Sequence, residues 1–406
     1  MKKTGNEDIL HGVGGTSKKQ HYVPKFYLKF FADENNKFFV YDFENHALLP
    51  TKVFCESQCH KKYFYGEDGV LENQLSQKEG EWAIVCKKVI AGTKLDENDI
   101  LKLKQFVMYQ RQRTSQANVH SLEEREAIIR ECAKIIYLRN GWKYDDMAEE
   151  FCKQRAKQEV SPAENVAIVS HMIGYIDDLA VLIVHYNTNR SLVTSDSPVI
   201  TLNPFLRFQG YGYDNVGIVF LMPISPKHLL IVYDKHLFKY NSNTEYLECD
   251  DEDEVVNVNQ YEFINAERMV FSLEKQNFSL VTSNVIEKRE REERRNKTQS
   301  LGAEGSKRLI ISQLRGTDYY FELPYFYLPR EWRRIPYNCR EAIPRHYEKG
   351  WSEKLALKYR VLTLANKISV NEKIREIIPS KTEIKIGCRR MENVARTYWR
   401  SLGYDV

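Results

Sequence analysis

The run H-L-L-I-V-Y at residues 228–233 is the clearest of a series of short apolar runs that decides the fold. Each run is rich in branched and aromatic side chains and is bounded by polar residues, glycine or proline, which is typical of buried strands. The others are A-V-L-I-V-H-Y at 180–186, S-L-V-T at 191–194, P-V-I-T-L at 198–202 and G-I-V-F-L-M at 217–222. Together they predict a mainly antiparallel sheet, with N-T-N-R at 187–190 as a hairpin connection.

The sequence before this sheet alternates between a strand pair and helices. F-F-V-Y-D at 38–42 and the run at 47–54 read as paired strands, and apolar residues recur at helical spacing from Val70 to Val89. Asp96 is a plausible N-cap for a second helix that ends near Thr114. Further helices are predicted at 122–138, 145–157, 161–178 and 255–268. The predicted class is α+β, with a helical layer packed on the sheet.

Three segments follow from composition along the chain. Residues 1–17 read as a flexible leader, 18–300 as the α+β domain, and 301–406 as a basic, aromatic and helical C-terminal segment. That last segment carries 21 Lys and Arg residues against 12 Asp and Glu. Because Lys and Arg neutralise phosphates and release counterions, we expect nucleic acid as a partner of this segment.

Overall composition excludes several classes of protein. Hydrophobic residues make up 42% of the 406 residues and charged residues 29%, which is typical of a globular chain. No apolar run approaches the roughly 18 residues of a membrane helix, and the start lacks the apolar core of a secretory signal. The eight scattered cysteines indicate a reducing compartment. We therefore expect a cytoplasmic protein without membrane contact.

The segment Q-H-Y-V-P-K-F-Y-L-K-F-F at 20–31 resembles the opening box of a bacterial family called domain of unknown function 4238. Similar boxes follow in order over about residues 18–275, namely V-Y-D at 40–42, L-E-N-Q-L-S-Q-K-E at 71–79, F-V-M-Y-Q-R-Q-R-T at 106–114, T-S-D-S-P-V at 194–199, M-P-I-S-P at 222–226 and N-A-E-R-M-V-F-S at 265–272. Ser115 stands where the family tends to have proline, and the segment after 300 lies outside the resemblance. The resemblance implies a domain boundary and a candidate site but no reaction.

Polar residues interrupt the apolar stripes of two predicted helices. Glu79 continues the stripe of the first helix, and Gln110 and Arg113 continue that of the second. His21 lies just before a proline and an apolar run, near a core, where an imidazole suits a metal ligand or a general base. A buried ion pair of Glu79 with Arg113 or Arg111 is the structural alternative.

Asp196 lies in a predicted turn between two strands of the sheet. Its carboxylate could bind backbone N–H groups of that turn, or it could project into a cleft. In the second case His21, Glu79 and Asp196 would hold a divalent ion such as Mg²⁺ or Mn²⁺, with Arg113 at the phosphate. Gln110, Arg111 and Tyr22 are then candidate substrate-binding residues. This hypothesis describes a metal-dependent nuclease-like protein acting on RNA or DNA, for which defence against phage is a plausible setting.

Two other functions fit the same residues. In one, they form a buried hydrogen-bond network inside a non-catalytic module that recognises nucleic acid or a protein. In the other, Arg113 and His120 form the R-x6-H pattern of metal-independent ribonucleases.

Some cofactor sites have no support. Cys55, Cys59 and His60 are only half of a zinc site, so no structural zinc is expected. The sequence has no P-loop and no G-x-G-x-x-G, so neither ATP nor NAD is expected.

Overall fold

A computed structural model gives the fold of most of the first 300 residues. It describes residues 19–206, 210–235, 237–240 and 244–295, with short pieces at 299–301, 309–311, 314–315, 326–327 and Arg345. The predicted leader at 1–17 and nearly all of the basic segment at 301–406 lie outside the described residues.

Most of the described helices overlap the helical segments predicted from the sequence, although several of their ends differ. They are α1 (Lys25–Lys29), α2 (Val70–Ile90), α3 (Glu97–Gln112), α4 (Ser115–Arg139), α5 (Asp146–Glu159), α6 (Pro162–Ala167), α7 (Val169–Met172), α8 (Glu252–Asn265) and α9 (Ser283–Arg295). Asp96 caps α3 in a reciprocal capping box with Asp99, as its position in the sequence predicted. Thr114 caps α4 through the Ala117 N–H, so α3 and α4 meet at a sharp junction around Arg113.

Most strands belong to two sheets and one ribbon. They are β1 (Lys19–His21), β2 (Lys37–Asp42), β3 (Ala47–Leu48), β4 (Val53–Phe54), β5 (His60–Lys62), β6 (Ala180–Tyr186), β7 (Thr194–Ser195), β8 (Ile200–Leu202), β9 (Gly210–Tyr211), β10 (Val219–Ser225), β11 (His228–Tyr233), β12 (Lys239–Tyr240), β13 (Tyr246–Cys249) and β14 (Met269–Ser272). The central sheet has the order β13-β6-β11-β10-β8 and is antiparallel except for the parallel β13–β6 pair. This confirms the mainly antiparallel sheet and the α+β class.

A second sheet joins distant parts of the chain. Its order is β3-β2-β14-β7, with β4 also paired to β2, so strands from the beginning and the end of the domain lie side by side. A separate two-stranded ribbon pairs β1 with β5 in antiparallel register. The strand pair predicted at 38–42 and 47–54 is thus present, as part of a larger sheet.

The main core lies between the helices and the central sheet. Trp82 of α2 stacks on Phe106 of α3 with ring centroids 5.3 Å apart, and both side chains are buried in the cluster that covers the sheet. Such aromatic pairs add about 1 kcal/mol beyond the area they bury. Among the described helices, none has the length and apolar character needed to cross a membrane.

Two details of the predicted architecture are wrong. Residues 187–190 do not close a hairpin, because β6 pairs with β11 and β13 while β7 pairs with β14 in the other sheet. The chain crosses between sheets here because Leu192 and Val193 bond to Pro226 and Asn259 instead of to β6. The single helix predicted at 161–178 is broken into α6, α7 and a 3-10 turn at Ile173–Tyr175.

Candidate functional site

Arg113 is the centre of a buried polar network. It ends α3 and is 1% exposed. Its Nη1 donates to Glu79 Oε1 at 2.7 Å, its Nε to the Tyr65 hydroxyl at 3.1 Å, and its Nη2 to the backbone carbonyl oxygen of His21 at 2.7 Å. Burial alone would lower the pKa of Arg113, but Tyr65 and Glu79 outweigh it and raise the pKa. The guanidinium therefore stays charged and ties α2 to β1.

His21 lies at the end of β1 and is 5% exposed. Its Nε2 is 3.0 Å from the backbone carbonyl oxygen of Glu56. A carbonyl oxygen only accepts hydrogen bonds, so Nε2 carries the proton and Nδ1 keeps its lone pair. Burial lowers the pKa of His21 to about 4, and the imidazole is therefore neutral near pH 7.

Gln110 and Tyr22 are both placed in the interior. Gln110 is fully buried and its Nε2 donates to the Tyr22 carbonyl oxygen at 3.1 Å. Tyr22 is 6% exposed, and burial raises the pKa of its hydroxyl. Neither side chain presents a surface to a macromolecular substrate, so their role is to hold α3 against the segment that follows β1.

Asp196 holds a turn of the second sheet together. Its Oδ1 accepts the Glu267 N–H at 2.9 Å, and its Oδ2 accepts the Arg268 N–H at 2.9 Å and the Met269 N–H at 3.0 Å. Burial, together with the charge of Glu267, raises the pKa of Asp196 to about 7 in spite of these three bonds. The Asp196 carboxylate thus binds backbone N–H groups, which was one of its two expected roles. The N–H groups belong to a turn about 70 residues downstream.

The proposed metal ligands do not converge. Within the described ranges, no three His, Cys, Asp or Glu side chains are grouped so that they could hold a metal ion. Glu79 is paired with Arg113, Asp196 is bonded to backbone N–H groups, and His21 is bonded to Glu56. These contacts do not support the metal site expected from His21, Glu79 and Asp196, which stays a prediction.

Arg113 and His120, the two residues of the R-x6-H alternative, have different partners. Arg113 donates to Glu79, Tyr65 and His21, whereas the charged group that acts on His120 is Arg111. Burial, and then the charge of Arg111, lower the pKa of His120 to about 4. Arg111 itself is 9% exposed, which leaves it little surface for a substrate.

Comparison with protein-family models gives one match, which covers residues 19–276 and is described as a protein of unknown function, DUF4238. The chain belongs to the DUF4238 family. No curated protein and no solved structure matches it.

Several of the DUF4238-like boxes contact one another. Asp196, in the box at 194–199, binds the backbone of the box at 265–272. Arg113, in the box at 106–114, binds Glu79 in the box at 71–79 and His21 in the opening box. In this DUF4238 chain, residues of these boxes therefore hold distant segments of the domain together.

The feature that the sequence did not reveal is one face of the β1–β5 ribbon. His21 pairs directly with His60, and Lys19 with Lys62, so these four residues project from the same side. We call this set the ribbon face. The H-K-K sequence at 60–62 was a possible signal, but His60 was considered only as half of a zinc site because its partner strand is 40 residues upstream.

An exposed aromatic ring lies on the same chain segment. Phe54 in β4 is 57% exposed, and Lys37 Nζ lies 4.4 Å from its ring centroid. Only the 3-10 turn at Cys55–Ser57 and two further residues separate Phe54 from β5. On β5, Lys62 Nζ lies 5.2 Å from the Tyr63 ring centroid. A lysine–aromatic pair thus lies at each end of this segment, Lys37 with Phe54 and Lys62 with Tyr63.

Proposed function

We propose that this DUF4238 chain binds single-stranded nucleic acid on the ribbon face and on the adjoining Phe54 platform. Proteins that bind single strands combine positive charge along the backbone with aromatic rings on which bases stack. Lys62 and Lys37 would contact phosphates, and Phe54 would accept a base. Of the functions considered from the sequence, this is the binding module, now assigned to specific surface residues.

The exposed Phe54 ring carries the proposal. A large aromatic side chain that is more than half exposed gains nothing from the core, and it lies beside a lysine instead of an acid. Lys37 is directly opposite Phe54 in the β2–β4 register, so the two side chains lie on the same side of the sheet. Base stacking on such a ring contributes about 1–3 kcal/mol, and a nearby cation adds to it.

The charge balance near the ribbon favours an anion. Glu56, whose backbone carbonyl oxygen bonds to His21, forms a side-chain ion pair with Lys29 at 2.8 Å. The positive charges of Lys25 and Lys19 act on His60 and, after partial burial, contribute to lowering its pKa. A phosphate at this face would relieve that repulsion.

A nuclease that depends on the metal ligands His21, Glu79 and Asp196 has no such support, because each of the three side chains has a different partner: the Glu56 carbonyl oxygen, Arg113 and backbone N–H groups. Nucleic-acid contact by residues 301–406 remains a prediction, since that segment lies outside the described residues. A setting in phage defence also remains a prediction and does not enter the argument.

Binding is tested by fluorescence anisotropy with the full-length chain and a labelled 20-nucleotide single strand of DNA. Phe54→Ala should weaken binding by about 5- to 150-fold, the equivalent of one lost stacked base. Lys62→Ala should reduce the slope of log affinity against log salt by about 0.7, the contribution of one phosphate contact on a single strand.

Matched controls lie on α5. Phe151 is 66% exposed and Lys157 is exposed, so Phe151→Ala and Lys157→Ala remove the same atoms elsewhere on the surface. Both controls should bind as the unaltered chain does. Equal affinities for Phe54→Ala and Phe151→Ala, or an unchanged salt slope for Lys62→Ala, would contradict the proposal.

A further inference from the structure

Arg345 lies well beyond residues 19–276, which the DUF4238 model matches, yet its side chain is buried against them. The Arg345 side chain is 0% exposed. Its Nε and Nη2 donate to the two oxygens of the Asp178 carboxylate at 3.0 and 3.3 Å, so the ion pair is bidentate. The backbone N–H of Arg345 also donates to the Asp214 carbonyl oxygen at 2.6 Å.

Backbone carbonyl oxygens accept the other hydrogen bonds of this guanidinium. Nη1 donates to the carbonyl oxygens of Tyr213 at 3.2 Å and Asn215 at 2.7 Å, and Nη2 also donates to that of Tyr175. Carboxylates and carbonyl oxygens only accept, and the planar fork of a guanidinium has the donors to match several of them at once. We call the Asp178 carboxylate and these three carbonyl oxygens the guanidinium socket.

Contacts that do not involve Arg345 hold the socket in shape. On one side, Asn215 Oδ1 accepts the Gly212 N–H at 2.5 Å and closes the turn that presents two of the carbonyl oxygens. On the other side, Lys104 of α3 donates to the Asp177 carbonyl oxygen at 2.6 Å, which fixes the segment that carries the socket carboxylate. The acceptors are therefore positioned by the domain itself, as a preorganised binding site requires.

The socket lies at the surface of the domain. The Asp178 side chain remains 12% exposed with Arg345 in place, and Tyr175 is 47% exposed. A small cation therefore has a path to the acceptors from the solvent once the Arg345 side chain is removed.

Further contacts join the same region to sequence after residue 300. Leu314–Arg315 pairs in antiparallel register with β9, which directly precedes the socket turn. Phe326–Tyr327 pairs in the same way with β12. These described pieces and Arg345 thus meet the domain that builds the socket.

We propose that the socket is a guanidinium-binding site, and that Arg345 occupies it as a latch that fastens the C-terminal segment to the DUF4238 domain. The residues matched by the family model supply the acceptors, and the sequence beyond them supplies the ligand. Lysine cannot replace the arginine, because an ammonium is a point charge and lacks the fork that reaches the carboxylate and the carbonyl oxygens together. The latch does not involve the ribbon face.

The site is tested by chemical rescue of Arg345→Ala in the full-length chain, with the thermal midpoint as the readout. Loss of the guanidinium should lower the midpoint by about 5 °C or more, because a buried carboxylate and three carbonyl oxygens lose their donor. Methylguanidinium chloride at about 50 mM should restore roughly half of this loss or more by filling the vacated socket, whereas methylammonium chloride should not. Arg130→Ala, which removes an exposed arginine, should respond to neither salt. An undiminished midpoint for Arg345→Ala, or an equal response to both salts, would overturn the site.

A double-mutant cycle tests the same site without an added ligand. The midpoint of the double variant Asp178→Asn, Arg345→Ala should lie within about 1 °C of the lower single variant, and methylguanidinium should not raise it. Losses that add in full would overturn the pairing. If Arg345→Ala is not recovered in folded form, Arg345→Lys takes its place in the cycle, with the same expectation.

The latch is tested separately by limited digestion with chymotrypsin. Cleavage after residue 300 should be about 10-fold faster in Arg345→Ala than in Arg130→Ala, because the open form of the segment is more populated. Methylguanidinium should restore the midpoint of Arg345→Ala but not its resistance to cleavage, since the free cation fills the socket without holding the chain. Equal cleavage of Arg345→Ala and Arg130→Ala would refute the latch.

Discussion

Removal of the Arg113 guanidinium should destabilise the domain, because the structure makes it the link between α2, α3 and β1. In Arg113→Ala, Glu79 loses its partner at 2.7 Å, and the Tyr65 hydroxyl and the His21 carbonyl oxygen lose a donor each. Breaking a buried ion pair costs about 3–5 kcal/mol. The Glu79 side chain is 24% exposed and regains some water, so the lower end applies, about 3 kcal/mol.

The measurement is urea unfolding followed by tryptophan fluorescence and circular dichroism. Trp82 is buried beside Phe106 and reports on the core that the network supports. About 3 kcal/mol corresponds to a roughly hundredfold change in the unfolding equilibrium. Arg113→Lys keeps the charge but cannot form the three-way fork, so its loss should lie between those of the unaltered chain and Arg113→Ala.

Arg130 offers a matched control. It bridges Glu126 and Glu149 on α4 and α5 with its side chain 28% exposed, and Arg130→Ala should cost no more than about 1 kcal/mol. A loss for Arg113→Ala that is as small as the loss for Arg130→Ala would refute the structural reading of Arg113. Such a result would return the residue to the list of candidate catalytic groups.

Three further predictions concern buried acids and the effect of removing metal ions. Burial raises the pKa of Glu262 to about 8 and that of Asp196 to about 7, so their protonation stabilises the fold: the free energy of unfolding should rise as pH falls from about 8 to about 5, and Glu262→Gln should flatten the rise. Urea unfolding of the unaltered chain and of Glu262→Gln at several pH values checks this. The same pH dependence in both proteins would contradict the role of Glu262. Asp196→Ala strands three backbone N–H groups of a half-exposed turn and should cost about 2–4 kcal/mol, against about 1 kcal/mol for removing the exposed α8 cap in Asp251→Ala, both measured by the same unfolding assay. Excess EDTA should leave the thermal midpoint unchanged; a drop of several degrees would reveal a bound structural ion.

The local signals in the sequence were sufficient for most helices and for the central sheet. Asp96 was recognised as the cap of α3 because a cap acts within three or four residues, whereas the Thr114 cap was not recognised and α4 begins at Ser115 instead of near 122. The buried runs at 180–186 and 228–233 belong to one antiparallel sheet, as predicted, although their direct pairing was not predicted. These elements depend on contacts that neighbouring residues supply.

The residues of the candidate site are brought together by contacts between distant segments, which no single residue encodes. The polarity of Glu79 and Arg113 within apolar stripes correctly indicated a buried charge, and the ion pair named as the structural alternative is present. Binding of backbone N–H groups was one of the two roles considered for Asp196, but the partners could not be named because they belong to a segment about 70 residues later, joined to it through β14. His60 was undervalued because only the β1–β5 register brings it to His21.

The central claim is that a nucleic-acid phosphate lies against His60 on the ribbon face. Titration of the His60 ring by NMR, in the full-length chain with and without a single-stranded DNA oligonucleotide, tests it most directly. Without DNA, the pKa of His60 should lie below its usual 6.5 because of partial burial and the charges of Lys19 and Lys25. With saturating DNA the pKa of His60 should rise, because the phosphate offsets those charges. An unchanged His60 titration in a chain that has bound the DNA would place the nucleic acid elsewhere and contradict the account.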